Sequence, residues 1–106
     1  MQKINFQDII ERIKDPWEPK DIAFISDTAL RVAMIHGAYD WHTHRSEDEL
    51  FFVLKGKIYI DTEQQTIELN ELEGFLVKKG TRHRSRSEAP AWVLLFEPKQ
   101  TKTKGE

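Results

Sequence analysis

The chain has no cysteine among its 106 residues. Disulfide bonds are therefore excluded, and so is any zinc or iron–sulfur site that is built on thiolates. A metal ion in this protein would have to be held by nitrogen and oxygen ligands. A strong excess of charge is absent as well, because the formal net charge is −2. This balance gives no reason to expect binding to nucleic acid or to an anionic membrane.

Long apolar runs are also missing. The N-terminal segment MQKINFQDII has neither the length nor the hydrophobicity of a secretory signal or a membrane span, so we expect a cytoplasmic protein. The length suits a single domain with one modest core, which we place at residues 1–98. The polar segment 99–106, KQTKTKGE, follows Pro98 and is expected to be a disordered tail.

A short helix is predicted near the N-terminus, at about residues 6–14. An apolar stripe with the i, i+3, i+4, i+7 spacing of a helix is formed by Phe6, Ile9, Ile10 and Ile13. Asn5 is a suitable N-cap residue. Pro16 should end the helix, because proline disfavours helical geometry in the residue before it.

After this helix, short apolar runs alternate with turn residues. The predicted strands are Ile22–Ile25, Leu30–His36, Leu50–Leu54, Lys57–Asp61, Thr66–Leu69, Gly74–Val77, Arg82–Ser87 and Trp92–Glu97. Ala89 and Pro90 should separate the last two. Strands and turns at this regular spacing are typical of an all-β sandwich or barrel, here at about residues 21–98. The strand–helix alternation of a parallel α/β sheet is not seen in the pattern.

The stretch WHTHRSEDELFFVLKG, residues 41–56, carries two histidines and a carboxylate in a suggestive order. Residues i and i+2 of an extended chain project to the same side, so His42 and His44 can converge on one ion. Glu49 begins the next strand and shares its inward face with Phe51 and Val53, unlike the two acidic residues before it. We therefore predict a polar cluster at the mouth of an apolar cavity. A polar turn with surface histidines is the alternative.

A further histidine comes much later, in KKGTRHRSRS. His83 follows Gly80 by three residues, and Gly80 can take the positive φ of a tight turn. Ser85 and Ser87 share the strand face of His83, whereas the three arginines of this stretch point the other way. We interpret Arg82, Arg84 and Arg86 as a solvated face or an edge protected by charge.

These residues and their spacing resemble the two motifs of the cupins, in particular of short single-domain bacterial members. The glycines, histidines and glutamate of the first motif are matched by Gly37, His42, His44, Glu49 and Gly56. The second motif is matched by Gly80 and His83, but Leu72 replaces a glycine, Lys78 a proline and Ser87 a frequent asparagine. The resemblance covers nearly the whole chain, including the stretches ELFFVLKGKIYID and WVLLFEPK.

The resemblance implies a double-stranded β-helix, the all-β jelly-roll barrel of the cupins, with a short N-terminal helix. It also implies a divalent metal site with the ligands His42, His44, Glu49 and His83. Three imidazoles and one carboxylate suit Mn, Fe, Co, Ni, Cu or Zn.

The reaction does not follow from the fold, since cupins include isomerases, epimerases, dioxygenases, decarboxylases and proteins that only bind ligands. The resemblance implies a metal-dependent enzyme acting on a small polar molecule, like an isomerase, an epimerase or a dioxygenase. The alternative is a non-enzymatic module that binds a small ligand or is stabilised by its metal. Short cupins are also similar to mannose-6-phosphate isomerase, but this chain lacks the length of a full sugar isomerase.

A homodimer is expected from the outer face of the strand that begins at Glu49. Leu50, Phe52 and Leu54 point away from the inward set, and a strand that is apolar on both faces is usually buried on both. The N-terminal helix could cover this face. We favour a partner subunit, because contiguous exposed apolar patches are rare on monomers and because the resemblance implies a dimer.

Three other side chains have less specific predictions. His36 has no counterpart in the motifs and is expected to be structural or to line the pocket. Tyr59 could face the cavity and donate a hydrogen bond. Trp41, expected to be a packing residue like the other tryptophans, could close one side of the pocket.

Overall fold

The computed structural model describes residues 1–105. It contains one helix, α1 (Phe6–Arg12), and seven strands, which are β1 (Lys20–Ile25), β2 (Thr28–Ala38), β3 (Glu49–Lys55), β4 (Ile58–Thr62), β5 (Thr66–Leu69), β6 (Gly74–Val77) and β7 (His83–Pro98). The Asn5 side chain accepts a hydrogen bond from the Asp8 N–H at 3.2 Å, as an N-cap should. The helix ends at Arg12, slightly before the predicted boundary, because Ile13 is already extended.

The strands pair antiparallel throughout, and the predicted all-β jelly roll is confirmed. The sheet has the order β1-β2-β7-β3-β6, while β4 pairs with β5 and with β7. Strand β7 is thus the common neighbour of β2, β3 and β4. Because one long strand belongs to both layers, the sheet rolls up around a single interior.

The predicted break at Ala89 and Pro90 is wrong, because β7 continues through these residues. Ile35 of β2 pairs with Ala91 and Gly37 pairs with Ser87, so that residues 88–90 lie opposite His36 alone. This is a bulge, in which the bulged strand bends without ending. Proline is tolerated at bulges because it need not donate to the ladder.

The interior is filled by alternate residues of the strands. Fully buried side chains there include Val53, Ile58, Ile60 and Val93. A second apolar cluster lies outside the barrel, where Ile13 after the helix packs on Val32 and Met34 of β2. Leu54 of β3 belongs to this outer cluster. The N-terminal segment therefore covers the outer face of β3 at Leu54, which is the alternative to a dimer that we considered from the sequence.

A charged cluster occupies the outer face where β4 pairs with β7. The Asp61 carboxylate accepts hydrogen bonds from Arg86 at 2.8 Å, Arg84 at 2.9 Å and Thr66 at 2.7 Å. The guanidinium of Arg86 foremost, with Thr66 and Arg84, holds the pKa of Asp61 well below its usual range. The arginines point away from His83 as predicted, but Arg84 and Arg86 are half-buried partners of a buried acid and do not form a solvated face.

Two aromatic side chains that we placed at the pocket belong to this outer face instead. Tyr59 pairs with Arg86 across the two strands and lies beneath its guanidinium, 4.6 Å from the ring centroid. Trp41 is covered by Arg82 and Arg84, at 4.8 and 5.1 Å. Side chains alternate along a strand, so the neighbours of inward residues face outward here.

The C-terminal segment corrects another expectation. Residues 99–105 contact the barrel instead of forming a disordered tail, and the Thr101 side chain is buried. Glu106, the last residue of the predicted tail, lies outside the described residues. Within residues 1–105, no helix is both long enough and apolar enough to span a membrane.

Leu72 gives a test of the backbone at a position where the cupin motif has glycine. Its φ of 67° lies in the left-handed region, and 74% of the residue is exposed. Leu72→Gly should therefore raise the free energy of unfolding by about 0.5–1 kcal/mol, because the strain disappears and little burial is lost. Urea denaturation measures this change.

The same substitution at Leu76, an exposed leucine within strand β6, is the matched control. Leu76→Gly should lower the free energy of unfolding by roughly 0.5–1 kcal/mol, because glycine weakens a strand interior. Equal destabilisation by both substitutions would show that Leu72 is not strained.

Candidate metal centre

Backbone pairing brings together two loops that are far apart in sequence. The His42 N–H donates to the His83 carbonyl at 3.0 Å, and the His83 N–H donates back to the His42 carbonyl at 2.9 Å. The Gly80 N–H donates to the His44 carbonyl at 2.8 Å. Gly80 has a φ of +84°, which a residue with a side chain would adopt only under strain. Three backbone hydrogen bonds therefore place the two histidine-bearing segments side by side.

The four predicted ligands come together in the structure. One ligand atom from each of His42, His44, Glu49 and His83 lies within 4.8 Å of the others. The Glu49 Oε1 atom is 3.5 Å from His44 Nε2 and 3.4 Å from His83 Nε2. Such a group could hold a metal ion, because the separations match atoms arranged around one shared centre.

The orientation of two imidazoles is set by backbone carbonyls. His42 Nδ1 lies 2.8 Å from the Asp40 oxygen, and His83 Nδ1 lies 2.9 Å from the Thr81 oxygen. A carbonyl oxygen can only accept, so each Nδ1 carries the proton and each Nε2 has a free lone pair. Histidines that bind metal ions usually have this arrangement, since the second nitrogen's hydrogen bond fixes the tautomer.

Burial separates this group from a surface cluster of polar residues. His83 is fully buried and Glu49 is 6% exposed. Their atoms His83 Nε2 and Glu49 Oε1 approach each other only to 3.4 Å and have no hydrogen bond of ordinary length, although buried polar atoms nearly always do. A cation between them would satisfy both atoms at once. The residues present therefore fit a divalent ion that prefers nitrogen and oxygen donors.

The charge states of the group also suit a cation. Burial alone would raise the pKa of Glu49, but His44 and His83 beside it outweigh the burial and hold this pKa well below its usual range. Burial lowers the pKa of His42. An ionised carboxylate and a neutral imidazole are the forms that bind metal ions.

The acidic residue next to Glu49 has a different role. The Asp48 carboxylate accepts from the Lys79 N–H at 2.9 Å and lies 3.3 Å from Lys78 Nζ. Asp48 thus connects the loop before Gly80 to the start of β3. Lys78, which replaces the proline of the motif, lies in this loop. Glu49, and not Asp48, is the carboxylate that lies beside His44 and His83.

One buried acid near the group was missed from the sequence. Glu97 is 4% exposed, and its Oε1 accepts from Arg31 Nη1 at 2.7 Å. Burial first, and then the neighbouring Glu49 carboxylate, raises the pKa of Glu97 to about 8. The alternation in WVLLFEPK could have revealed it, because Val93, Leu95 and Glu97 share the inward face.

A cavity lies beside the group, as predicted. Its volume is about 40 Å³, enough for only a few water molecules. His42 and Glu49 contribute to its wall, together with Trp17, Pro19, Ala33, Ile35, Tyr39, Phe51, Ser85, Val93, Leu95, Glu97 and Thr103. Trp17 and Tyr39 pack against each other with ring centroids 4.9 Å apart and ring planes tilted by 34°, and they take the place that we had predicted for Trp41. His36 is exposed and is not among the lining residues.

Comparisons with known proteins agree with this architecture. Residues 29–96 match the cupin domain family. The uncharacterized protein YdbB of Bacillus subtilis is 37% identical over 100 residues, which cover 93% of this chain and 88% of YdbB. These comparisons support the resemblance to cupins but not the likeness to mannose-6-phosphate isomerase.

Two solved structures are similar over nearly their whole length. The cupin-2 domain protein of Shewanella frigidimarina has a TM-score of 0.87 at 29% identity, covering 90% of this chain and 93% of its own. Protein NMB1881 of Neisseria meningitidis has a TM-score of 0.84 at 28% identity, covering 92% of this chain and 99% of its own. With its rolled antiparallel sheet and its matched motifs, the chain belongs to the cupin family.

Proposed function

We propose that the protein is a metal-dependent enzyme that acts on a small polar molecule, with His42, His44, Glu49 and His83 as the ligands of one divalent transition metal ion. The observation that carries this proposal is the convergence of four donor atoms within 4.8 Å beside a cavity, three of them on the buried residues His44, Glu49 and His83. Two of these atoms, on Glu49 and His83, are buried without a hydrogen bond. A group arranged only for stability would bring such atoms into hydrogen bonds of ordinary length.

The donor set narrows the choice of ion. Three imidazole nitrogens and one carboxylate oxygen suit Mn, Fe, Co, Ni, Cu or Zn better than the hard ions Mg and Ca, which prefer oxygen. When bound, such an ion polarises a ligand oxygen as a Lewis acid, which suits an isomerase or epimerase, or takes part in dioxygen chemistry.

The protein's own side chains determine how a ligand would lie in the cavity. His42 and Glu49 line the cavity wall, so a molecule held there would contact the ligand side of the site. Trp17, Tyr39 and Phe51 contribute aromatic surface to this wall, on which the apolar part of a ligand could pack. The hydroxyl of Ser85 and the carboxyl of Glu97 add polar groups that can orient a small polar molecule.

A binding module without enzymatic activity is the second candidate. The observation that favours it is the small cavity, about 40 Å³, which has little room for a substrate and for its rearrangement. A metal ion that binds only the folded chain would also stabilise it by mass action.

Metal content tests the site itself. Untagged protein that is supplied with the six candidate metals and then dialysed should retain about one equivalent per chain. His83→Ala should lower the affinity by on the order of 100-fold, because even the loss of an outer hydrogen-bond partner costs roughly 10–100-fold. Elemental analysis and calorimetric titration measure these quantities.

His36→Ala is the matched control, because His36 is exposed and does not belong to the group. It should bind metal as the unchanged protein does. If none of the metals exceeded background, or if both variants bound equally, the four-residue site would be refuted.

Turnover distinguishes the enzyme from the binding module. The metal-loaded protein should isomerise or epimerise a small sugar, or consume dioxygen, in a panel of small polar compounds, and His83→Ala should lose this activity. Sugar isomerisation assays and an oxygen electrode provide the readout. A rise in melting temperature on metal addition, with no turnover of any compound, would favour the binding module instead.

We also propose that the protein works as a homodimer through the outer face of β3. Leu50 pairs with Leu76 on one side and with Phe96 on the other, so the three form an apolar row across β6, β3 and β7. Leu50 and Phe96 are half-buried and Leu76 is 49% exposed. The N-terminal cluster covers Leu54 but does not include this row. A second copy would bury the row.

Light scattering tests the dimer. The measured mass should be twice the 12.5 kDa of one chain, and Leu76→Glu should reduce it to that of one chain, because a buried unpaired charge is costly. Leu72→Glu, the same change at an exposed leucine outside the row, should leave the mass unchanged. A single-chain mass for the unchanged protein would refute the dimer.

A further inference from the structure

Residues 99–105, here called the C-terminal strap, cross the barrel beside the cavity. The strap begins where β7 ends and is polar throughout, with the sequence KQTKTKG. Thr101 is its one buried residue, while Thr103 contributes to the cavity wall. The strap is thus part of the boundary between the cavity and solvent.

The first half of the strap is bound by Asp27, whose carbonyl accepts from the Lys99 N–H at 2.8 Å, and by an arginine of β2. Arg31 Nη2 donates to the Lys99 carbonyl at 2.7 Å, and Nη1 donates to the Thr101 carbonyl at 3.1 Å. The same Nη1 donates to Glu97 at 2.7 Å, within the cavity wall. Arg31 therefore connects the strap to the buried acid that lies next to Glu49.

The second half ends against the loop that carries two of the proposed ligands. Gly105 has a φ of +79°, and a Cβ atom at this position would lie 2.4 Å from the Thr43 carbonyl oxygen. A larger residue could not occupy this place without displacing the strap, because the nearest atoms are backbone. Thr43 stands between His42 and His44, so the strap reaches the edge of the candidate metal centre.

The cavity that Thr103 borders is small and partly open to solvent. An engineered cavity of about 150 Å³ is known to bind benzene, whereas this cavity measures about 40 Å³. A ring-sized ligand therefore does not fit while the strap is in place. Segments with little buried apolar surface open more easily than the core of a protein, and the strap is polar with one buried residue, Thr101.

We propose that the C-terminal strap completes the ligand cavity and limits the size of the ligands that can enter it. Molecules of a few atoms reach the ion while the strap is closed. Ring-sized molecules reach it only after the strap has moved. This inference rests on the proposed metal site. It makes residues 99–105 the specificity-determining segment of that site, with Arg31 as the residue that positions it.

The test uses the Co²⁺-loaded protein, whose visible absorption changes when a further ligand coordinates the ion. Azide, with three atoms, and imidazole, with a five-membered ring, are the two probes. Gly105→Val should displace the strap and increase the affinity for imidazole at least tenfold, while the affinity for azide stays the same. Lys104→Ala, at an exposed strap residue, is the control and should match the unchanged protein.

A chain that ends after Pro98 provides a second variant in case Gly105→Val does not fold. It should admit imidazole as Gly105→Val does. Equal imidazole affinity in the unchanged protein and in a folded, Co²⁺-loaded strap variant would overturn the size limit, as would a parallel gain for azide.

Nuclear magnetic resonance of the metal-free protein separates failure of this inference from failure of the proposed function. An NOE between the Gly105 α-protons and Thr43 should be present in the unchanged protein. Its absence would overturn the strap whatever the metal content. If the protein took up no Co²⁺ while the NOE was present, the proposed metal site would be refuted, whereas the closed position of the strap would be confirmed.

Discussion

The pairing of one long strand with three others is the constraint on which this structure depends. Strand β7 pairs with β4 through its first half and with β3 through its second half. The bulge at residues 88–90 bends it between the two halves. As a result, His83 at its start and Glu97 at its end both lie beside Glu49. A straight strand of this length would separate its ends by roughly 45 Å.

This arrangement concentrates polar groups in an otherwise apolar interior, at a cost in stability. Glu49 and Glu97 are buried side by side, and buried carboxylates are unfavourable unless paired. Imidazoles compensate one acid and Arg31 the other. Each compensating group is itself held by hydrogen bonds, to the Thr81 carbonyl for His83 and to the strap for Arg31. Such concentrations of perturbed groups are typical of functional sites.

Much of the fold could be predicted from short-range patterns. The N-cap at Asn5 and the alternation in β3 depend on neighbouring residues, and both are present in the structure. Ala89 and Pro90 were misinterpreted because a proline at a bulge has the same local signature as a proline in a turn. The strap was misinterpreted because its polar composition is that of a disordered segment, while the residues that bind it, among them Arg31 and Asp27, are distant in sequence.

The residues of the candidate site were likewise predictable from the sequence only in part. His42, His44, Glu49 and His83 could be selected from spacing, because an i, i+2 pair and the strand face of a carboxylate are local properties. The position of Glu97 next to Glu49 could not be predicted from the sequence. It depends on the pairing of Leu50 with Phe96, which sets the register between β3 and β7. Tyr59 and Trp41 were assigned to the wrong face, because the sheet that each strand joins determines which side is the interior.

The sequence by itself determined the composition of the candidate site, three imidazoles and one carboxylate without any thiolate, and the strand pattern that carries them. Only the tertiary structure decided the size of the cavity, the residues that enclose it and the acid that borders it. The physical reason is that ligand identity is a property of single side chains, whereas enclosure depends on the bend of β7 and on contacts between segments that the sequence keeps far apart.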